Sequence, residues 1–129
     1  MAYTLDKTID GSTFNEVVER TKAALSNNGF GVLTEIDVKA TMKKKLNTDL
    51  DDYLILGACN PGMAFEAIKM EPKVGAMLPC NVIIRSLGDE GVMVSAIDPV
   101  ASMQAIDNDA LKETAGKVRG MLAVVVQAI

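Results

Sequence analysis

The sequence predicts an α+β protein in which a mixed five-stranded sheet is packed with helices in the order β-α-β-α-β-α-β-β-α. Segments that alternate polar and apolar residues are interleaved with segments whose apolar residues recur every three or four positions. These are the periods of strands and of helices. Turn and cap residues separate the segments, and two successive strands near the end interrupt the alternation, as is typical of an α+β arrangement.

The composition limits the class of protein. The chain has 129 residues, which suits a single domain over residues 1–129. Hydrophobic residues make up 49% and aromatic residues only 4%, so the sequence predicts a folded chain with an aliphatic core. Histidine is absent. This absence excludes imidazole as a general base and as a zinc ligand.

Charge and hydropathy indicate where the protein works. The net charge of −4 argues against nucleic-acid binding, which needs a surplus of Lys and Arg. No apolar run approaches the roughly 18 residues that a membrane span requires. The N-terminal segment lacks the basic start and apolar block of a signal peptide. We therefore expect a cytoplasmic protein with no nucleic-acid and no membrane partner, in which both cysteines are thiols.

The N-terminal part of the chain is predicted to form two strands, each followed by a helix. Residues 3–9 alternate as a strand, and Ser12 after the Asp10-Gly11 turn is the expected cap of a helix that ends near residue 28. Phe30 to Val38 is the second predicted strand, with Val32 and Thr34 on one face. Asp37 is the expected cap of a short helix.

The segments on either side of the two cysteines carry clear strand, cap and turn residues. Tyr53 to Cys59 is continuously apolar, as expected of a central strand. Asn60 and Pro61 then begin a helix that Pro72 ends. Cys80 to Leu87 is the fourth predicted strand, and a hairpin turn leads into the fifth, Val92 to Ile97.

The C-terminal segment predicts a long amphipathic helix. Asp98 and Pro99 repeat the cap-then-proline pattern before a short helical turn, and Asp107 is the expected cap of the last helix. Gly116 and Gly120 lie four residues apart in that helix, where each costs about 1 kcal/mol relative to Ala. We expect them to permit close packing against the sheet or against a second copy, and we expect a homodimer.

Two Cys-Asn pairs mark the candidate site: Cys59 with Asn60, and Cys80 with Asn81. Cys59 precedes a helix N-terminus, where unpaired amide groups stabilise a thiolate or a bound anion, and Asn60 is either a cap or a donor to a ligand. The alternative is that Cys59 is a small buried residue at a strand end. Cys80 favours that second interpretation, because no helix begins after it.

Whether the two thiols meet depends on the connection between their strands. If the strands are parallel, the thiols lie at opposite ends of the sheet, about 20 Å apart at ~3.3 Å per residue. If the chain from Pro72 to Pro79 recrosses the sheet edge, the strands are antiparallel and the thiols share one end. A shared site with thioethers from Met63 and Met77 would suit Cu(I). The alternative role of the methionines is to fill gaps in the core.

Four segments resemble the domain of unknown function 302 family. They are Gly29 to Val38, Leu56 to Pro61, Leu78 to Val82 and Ser95 to Pro99, in that order. The resemblance covers nearly the whole chain and implies a small prokaryotic α+β domain that tends to dimerise. It implies no established activity. Cys59, Asn60, Cys80 and Asn81 all fall on positions of the family pattern.

The sequence leaves three functions open. The first is a binding protein for a small anionic ligand, a soft metal or a sulfur species near Cys59, and no cofactor can be named. The second is a thiol-redox or sulfur-transfer protein in which Cys59 is the nucleophile and Cys80 resolves it. The third is a structural dimerisation module in which both cysteines are buried. Whether the protein is an enzyme stays open: under the first function we expect a protein that is non-enzymatic or weakly catalytic, and under the third a purely structural one.

Overall fold

The structure of the chain, a computed structural model, describes residues 2–129. The strands are β1 (Thr4–Ile9), β2 (Gly31–Asp37), β3 (Tyr53–Cys59), β4 (Cys80–Ser86) and β5 (Val92–Ile97). The helices are α1 (Phe14–Asn27), α2 (Val38–Leu46), α3 (Pro61–Met70), α4 (Pro99–Ser102) and α5 (Asp109–Gln127). Two 3-10 helices, Pro72–Met77 and Gly88–Glu90, lie before and after β4.

The α+β class, the five strands and the order of strands and helices are confirmed. The strands lie in the order β1-β5-β4-β3-β2, and every neighbouring pair is antiparallel. The mixed sheet predicted from the sequence is therefore corrected to an antiparallel one. β1, β4 and β2 run in one direction and β5 and β3 in the other, so strands of the same direction are never neighbours and form no parallel ladder.

Helices α1 and α5 pack on one face of the sheet and against each other. The core between them is aliphatic, as predicted, and its fully buried side chains include Leu25, Leu56, Ile84 and Leu122. A second, smaller cluster lies beside it, under α3 and the 3-10 helix Pro72–Met77. Its buried members are Ala67, Val74, Met103, Leu111 and Ala115. This second cluster positions the candidate site.

Most predicted helix caps are present, with two shifts of one residue. Asp37 accepts a hydrogen bond from the Ala40 amide at 2.9 Å. The cap of α1 is Thr13 rather than Ser12, because Thr13 and Glu16 bond to each other's backbone amides. The cap of α5 is Asn108 rather than Asp107. Asn108 also donates to the Met70 carbonyl at 3.1 Å, which joins α5 to the end of α3.

The edge strand β2 contains a bulge that the sequence did not reveal. Val32 pairs with Ala58, and Thr34 pairs with the adjacent Gly57. One extra residue, Leu33, therefore intervenes, and Val32 and Thr34 face opposite sides of the sheet rather than the same side. Within residues 2–129, no helix combines the length and the apolarity that crossing a membrane requires.

Candidate functional site

The two cysteines lie at the same end of the sheet. β3 and β4 are antiparallel, and Ala58, the residue before Cys59, is the cross-strand partner of Cys80. Neighbouring strands are about 4.8 Å apart, so Cys59 and Cys80 are near neighbours. The sequence left this point open. The structure decides it because α3 and the 3-10 helix Pro72–Met77 leave and return at one end of the sheet.

Gly57 allows the end of β3 to pack tightly against its neighbours. A Cβ atom at this position would lie 2.8 Å from Cγ of Pro79 and would also clash with the Thr34 hydroxyl. The backbone here approaches both side chains more closely than any larger residue permits. This close approach holds the chain immediately before Cys59 and the chain immediately before Cys80 together.

Asn60 acts as the cap of α3, one of the two roles predicted for it. Its Oδ1 accepts a hydrogen bond from the Met63 amide at 3.0 Å, and Pro61 occupies the first turn. The side-chain nitrogen of Asn60 lies beside Gly29, where an added Cβ would be 3.1 Å away from it. Gly29 has a φ of +83°, a conformation that glycine adopts without strain.

A cavity of about 40 Å³ lies between the ends of β3 and β4 and the helices α3, α4 and α5. One water molecule needs about 10–15 Å³ by the same measure, so the cavity has room for only a few atoms. Its lining consists of Phe30, Ala58, Cys59, Asn60, Met63, Ala64, Ala67, Leu78, Pro79, Cys80, Pro99, Met103, Leu111, Thr114, Ala115 and Val118. None of these described residues is charged, and only Asn60 and Thr114 carry oxygen in the side chain.

The two cysteines occupy different depths in this lining. Cys59 is half-buried, whereas Cys80 is buried and 7% exposed. Burial raises the pKa of the Cys80 thiol from 9.0 to about 11, and the nearby Cys59 sulfur adds a smaller contribution in the same direction. Cys80 is therefore a neutral thiol at pH 7.

Three of the four predicted site residues line the cavity, and Asn81 does not. Successive residues of a strand face opposite sides of the sheet, so Asn81 points away from Cys80 and is exposed. Met77, nominated from the sequence as a thioether ligand, is 43% exposed and also lies outside the cavity. Met63, the other nominated methionine, lines it.

Sequence reasoning missed the far wall of the cavity, which α4 and α5 supply. Pro99 and Met103 come from α4 and the turn after it, and Thr114 and Ala115 come from α5. Asp98 fixes α4 against α5. Its side chain accepts from the Val100 amide at 2.9 Å and from Nε of Arg119 at 2.9 Å. The cap-then-proline signal at Asp98 was visible in the sequence, but the partner Arg119 was not.

Comparison with known proteins identifies the family. The family model described as "Domain of unknown function DUF302" matches residues 5–129. The chain belongs to the DUF302 family. A crystal structure of an uncharacterised conserved DUF302 protein from Bacillus stearothermophilus has the same fold, with a TM-score of 0.92 and 24% sequence identity. The match covers 99% of this chain and 98% of that one. No curated protein matches the chain.

Membership in DUF302 confirms the resemblance found in the four sequence segments. At 24% identity, the Bacillus stearothermophilus structure supports the fold and carries no statement about activity. The feature of this chain that bears on function is the cavity lined by Cys59 and Cys80.

Proposed function

We propose that this DUF302 protein binds a small, soft ligand in the cavity between Cys59 and Cys80. The observation that carries the proposal is that both thiols line one cavity of about 40 Å³. Such a volume fits a single ion or a group of a few atoms, and it is far below the 300 Å³ or more of a pocket for a drug-sized molecule.

The lining favours a soft ligand over an anionic one. No Lys or Arg is among the described residues that line the cavity, although the N-terminus of α3 contributes a partial positive charge. An anion would lose its hydration there without a full counter-charge. Sulfur-rich, apolar walls instead match a soft metal ion or a sulfur species carried on a thiol.

A size-selection experiment tests the proposal. We expect a small methanethiosulfonate reagent, which transfers a CH₃S group to a thiolate and releases methanesulfinate, to modify native Cys59. We expect a bulky aromatic disulfide to react much more slowly, because it does not fit. Mass spectrometry of peptides would report both rates, and unfolding in urea should remove the difference.

A matched pair of variants makes this test specific to the cavity. Ala64→Leu adds volume to the cavity lining and should slow the small reagent, whereas Ala23→Leu lies on the exposed side of α1 and should not. The proposal fails if both thiols stay unreactive toward the small reagent until the protein unfolds. It also fails if Ala64→Leu folds and leaves the rate unchanged.

A thiol-redox function is the second candidate, and the cross-strand proximity of Cys59 and Cys80 favours it. Cys59 follows Ala58, the cross-strand partner of Cys80, so the two cysteines are diagonal neighbours, and a disulfide spans Cα distances of 4.4–6.8 Å. Oxidised glutathione would accept two electrons and two protons from the thiols and leave as two glutathione molecules. After incubation of the reduced protein with oxidised glutathione, mass spectrometry should show a mass lower by two hydrogens. An unchanged mass would exclude this function.

We also propose that the protein forms a homodimer through α5. Gly116 and Gly120 are exposed, and apart from the adjacent residues and the nearby backbone of α5 itself, no described atom lies within 4 Å of a Cβ built at either position. The expected close packing of these glycines against the sheet is therefore absent from the fold. Each glycine lowers the stability of the helix by about 1 kcal/mol relative to Ala. Close packing of α5 against a second copy would offset this loss.

A further inference from the structure

Four sulfur-bearing side chains converge on the cavity. They are Cys59, Cys80, Met63 and Met103, and they come from β3, β4, α3 and the turn after α4. Met103 is only 5% exposed, and it is separated from Cys59 by more than 40 positions in the sequence. The fold thus brings two thiols and two thioethers to one small space.

The set of donors selects among metal ions. Thiolate and thioether ligands favour Cu(I) over harder ions. Zinc needs four ligands drawn from Cys, His, Asp and Glu, and residues 2–129 contain no cluster of three or more such side chains. Cu(I) is stable with two to four sulfur ligands, and four sulfur-bearing side chains line this cavity.

The charge and the size of the cavity agree with that choice. Two thiolates and one Cu(I) ion form a complex of charge −1, and the cavity adjoins the N-terminus of the ten-residue helix α3. The bonds between Cu(I) and the two sulfur atoms offset the cost of burying this charge, which a free anion could not do, and the positive end of the helix dipole stabilises it further. About 40 Å³ is enough for one ion and leaves space for few water molecules beside it.

We propose that the cavity binds one Cu(I) ion between the thiolates of Cys59 and Cys80, with the thioethers of Met63 and Met103 as further ligands. Two protons leave the thiols on binding, and no electron is transferred. The inference rests on the proposed function, because the ion has to enter the same cavity as any other small, soft ligand.

The test is an anaerobic titration of the full, reduced chain with Cu(I) in competition with a chromogenic Cu(I) chelator. We expect one ion per chain. Substitution of a residue that only hydrogen-bonds to a metal ligand already lowers the affinity for the metal by about 10–100-fold. Cys59→Ser and Cys80→Ser should therefore each lower the affinity by about 100-fold or more, and Met63→Leu and Met103→Leu by about 10-fold each.

Met77→Leu is the matched control, because Met77 lies outside the cavity. The affinity of this variant for Cu(I) should equal that of the wild type. X-ray absorption of the wild-type complex should show sulfur as the sole type of ligand, which keeps the test decisive if a Cys variant fails to fold. Nitrogen or oxygen ligands, or unchanged affinity in folded Cys59→Ser and Cys80→Ser, would overturn the inference.

The outcomes separate this inference from the proposed function. If the small methanethiosulfonate enters the cavity and Cu(I) is not retained against the chelator, the copper site is wrong and the proposal of a small-ligand cavity stands. If neither the reagent nor Cu(I) reaches Cys59, both fall together.

Discussion

Two cysteines that are each followed by Asn in the sequence have different environments in the fold. Each is followed by Asn and lies next to a proline segment, yet Cys59 ends β3 at a half-buried position and Cys80 begins β4 inside the core. Strand position decides the difference, because Cys80 is aligned with Val82 and Ile84 on the helix-covered face of the sheet. The buried thiol consequently resists ionisation.

The raised pKa of Cys80 has a consequence for stability at alkaline pH. Folded Cys80 keeps its proton up to a pH of about 11, whereas the unfolded thiol loses it near 9.0. The unfolded state therefore binds fewer protons between these values, and stability falls as pH rises. We expect Cys80 to cost about 1.5 kcal/mol between pH 9 and pH 10.5, at 1.36 kcal/mol per pKa unit, because the unfolded thiol is only half deprotonated at pH 9.

Urea unfolding at pH 8 and pH 10.5 measures this loss, with Cys80→Ala as the reference. Titration of lysines and tyrosines is common to both proteins, so it cancels in the difference between their pH dependences. Cys80→Ala should lose less stability over this interval than the wild type. Equal losses would show that burial does not hold the Cys80 proton.

At the scale of elements, the walls of the cavity differ in how far the sequence predicts them. The end of β3 and the start of α3 were predictable, because an apolar run, a cap and a proline are local signals. The far wall was not, because Met103 and Thr114 reach the cysteines only through packing of α4 and α5. The antiparallel direction of β4 likewise depends on the path of the chain from Pro72 to Pro79, because a connection of eight residues allowed two routes.

Asp98 should stabilise this far wall. It caps α4 and pairs with Arg119 of α5, and its side chain is 13% exposed. Asp98→Ala removes a cap worth about 1 kcal/mol and a partly exposed ion pair worth less than about 1 kcal/mol. We expect a loss of about 1–2 kcal/mol in the free energy of unfolding, and faster reaction of Cys59 with the small methanethiosulfonate.

Asp49→Ala is the matched control for Asp98→Ala. Asp49 also forms an ion pair, with Lys43 at 3.1 Å, but its side chain is 91% exposed and caps no helix. Urea denaturation should show that Asp49→Ala changes the free energy of unfolding by less than about 0.5 kcal/mol. The rate at which the small methanethiosulfonate modifies Cys59 should stay the same. A comparable loss in the two variants would remove the special role of Asp98.

At the scale of the whole molecule, α5 has two faces with different purposes. Its inner face carries Leu111, Leu122 and Val125 into the core. Its outer face presents Gly116, Gly120 and Val124, and Val124 is 52% exposed. These three residues are spaced by four, so they form one line along the helix. Charged and polar residues such as Glu113 and Lys117 flank this line, and its two glycines lower the stability of the helix without a packing partner inside one chain.

The proposed dimer predicts opposite effects of one substitution on folding and on association. Gly116→Ala and Gly120→Ala should each raise the stability of an isolated helix by up to about 1 kcal/mol, since the added methyl meets open space within the chain. In a dimer that packs these helices closely, the same methyl should separate the two backbones and weaken association. Sedimentation at several micromolar concentrations would measure the second effect, and Lys44→Ala at an exposed position of α2 is the control that should leave it unchanged. A wild-type protein that sediments as a monomer would leave only the gain in folding stability, and the glycines would then have no role in assembly.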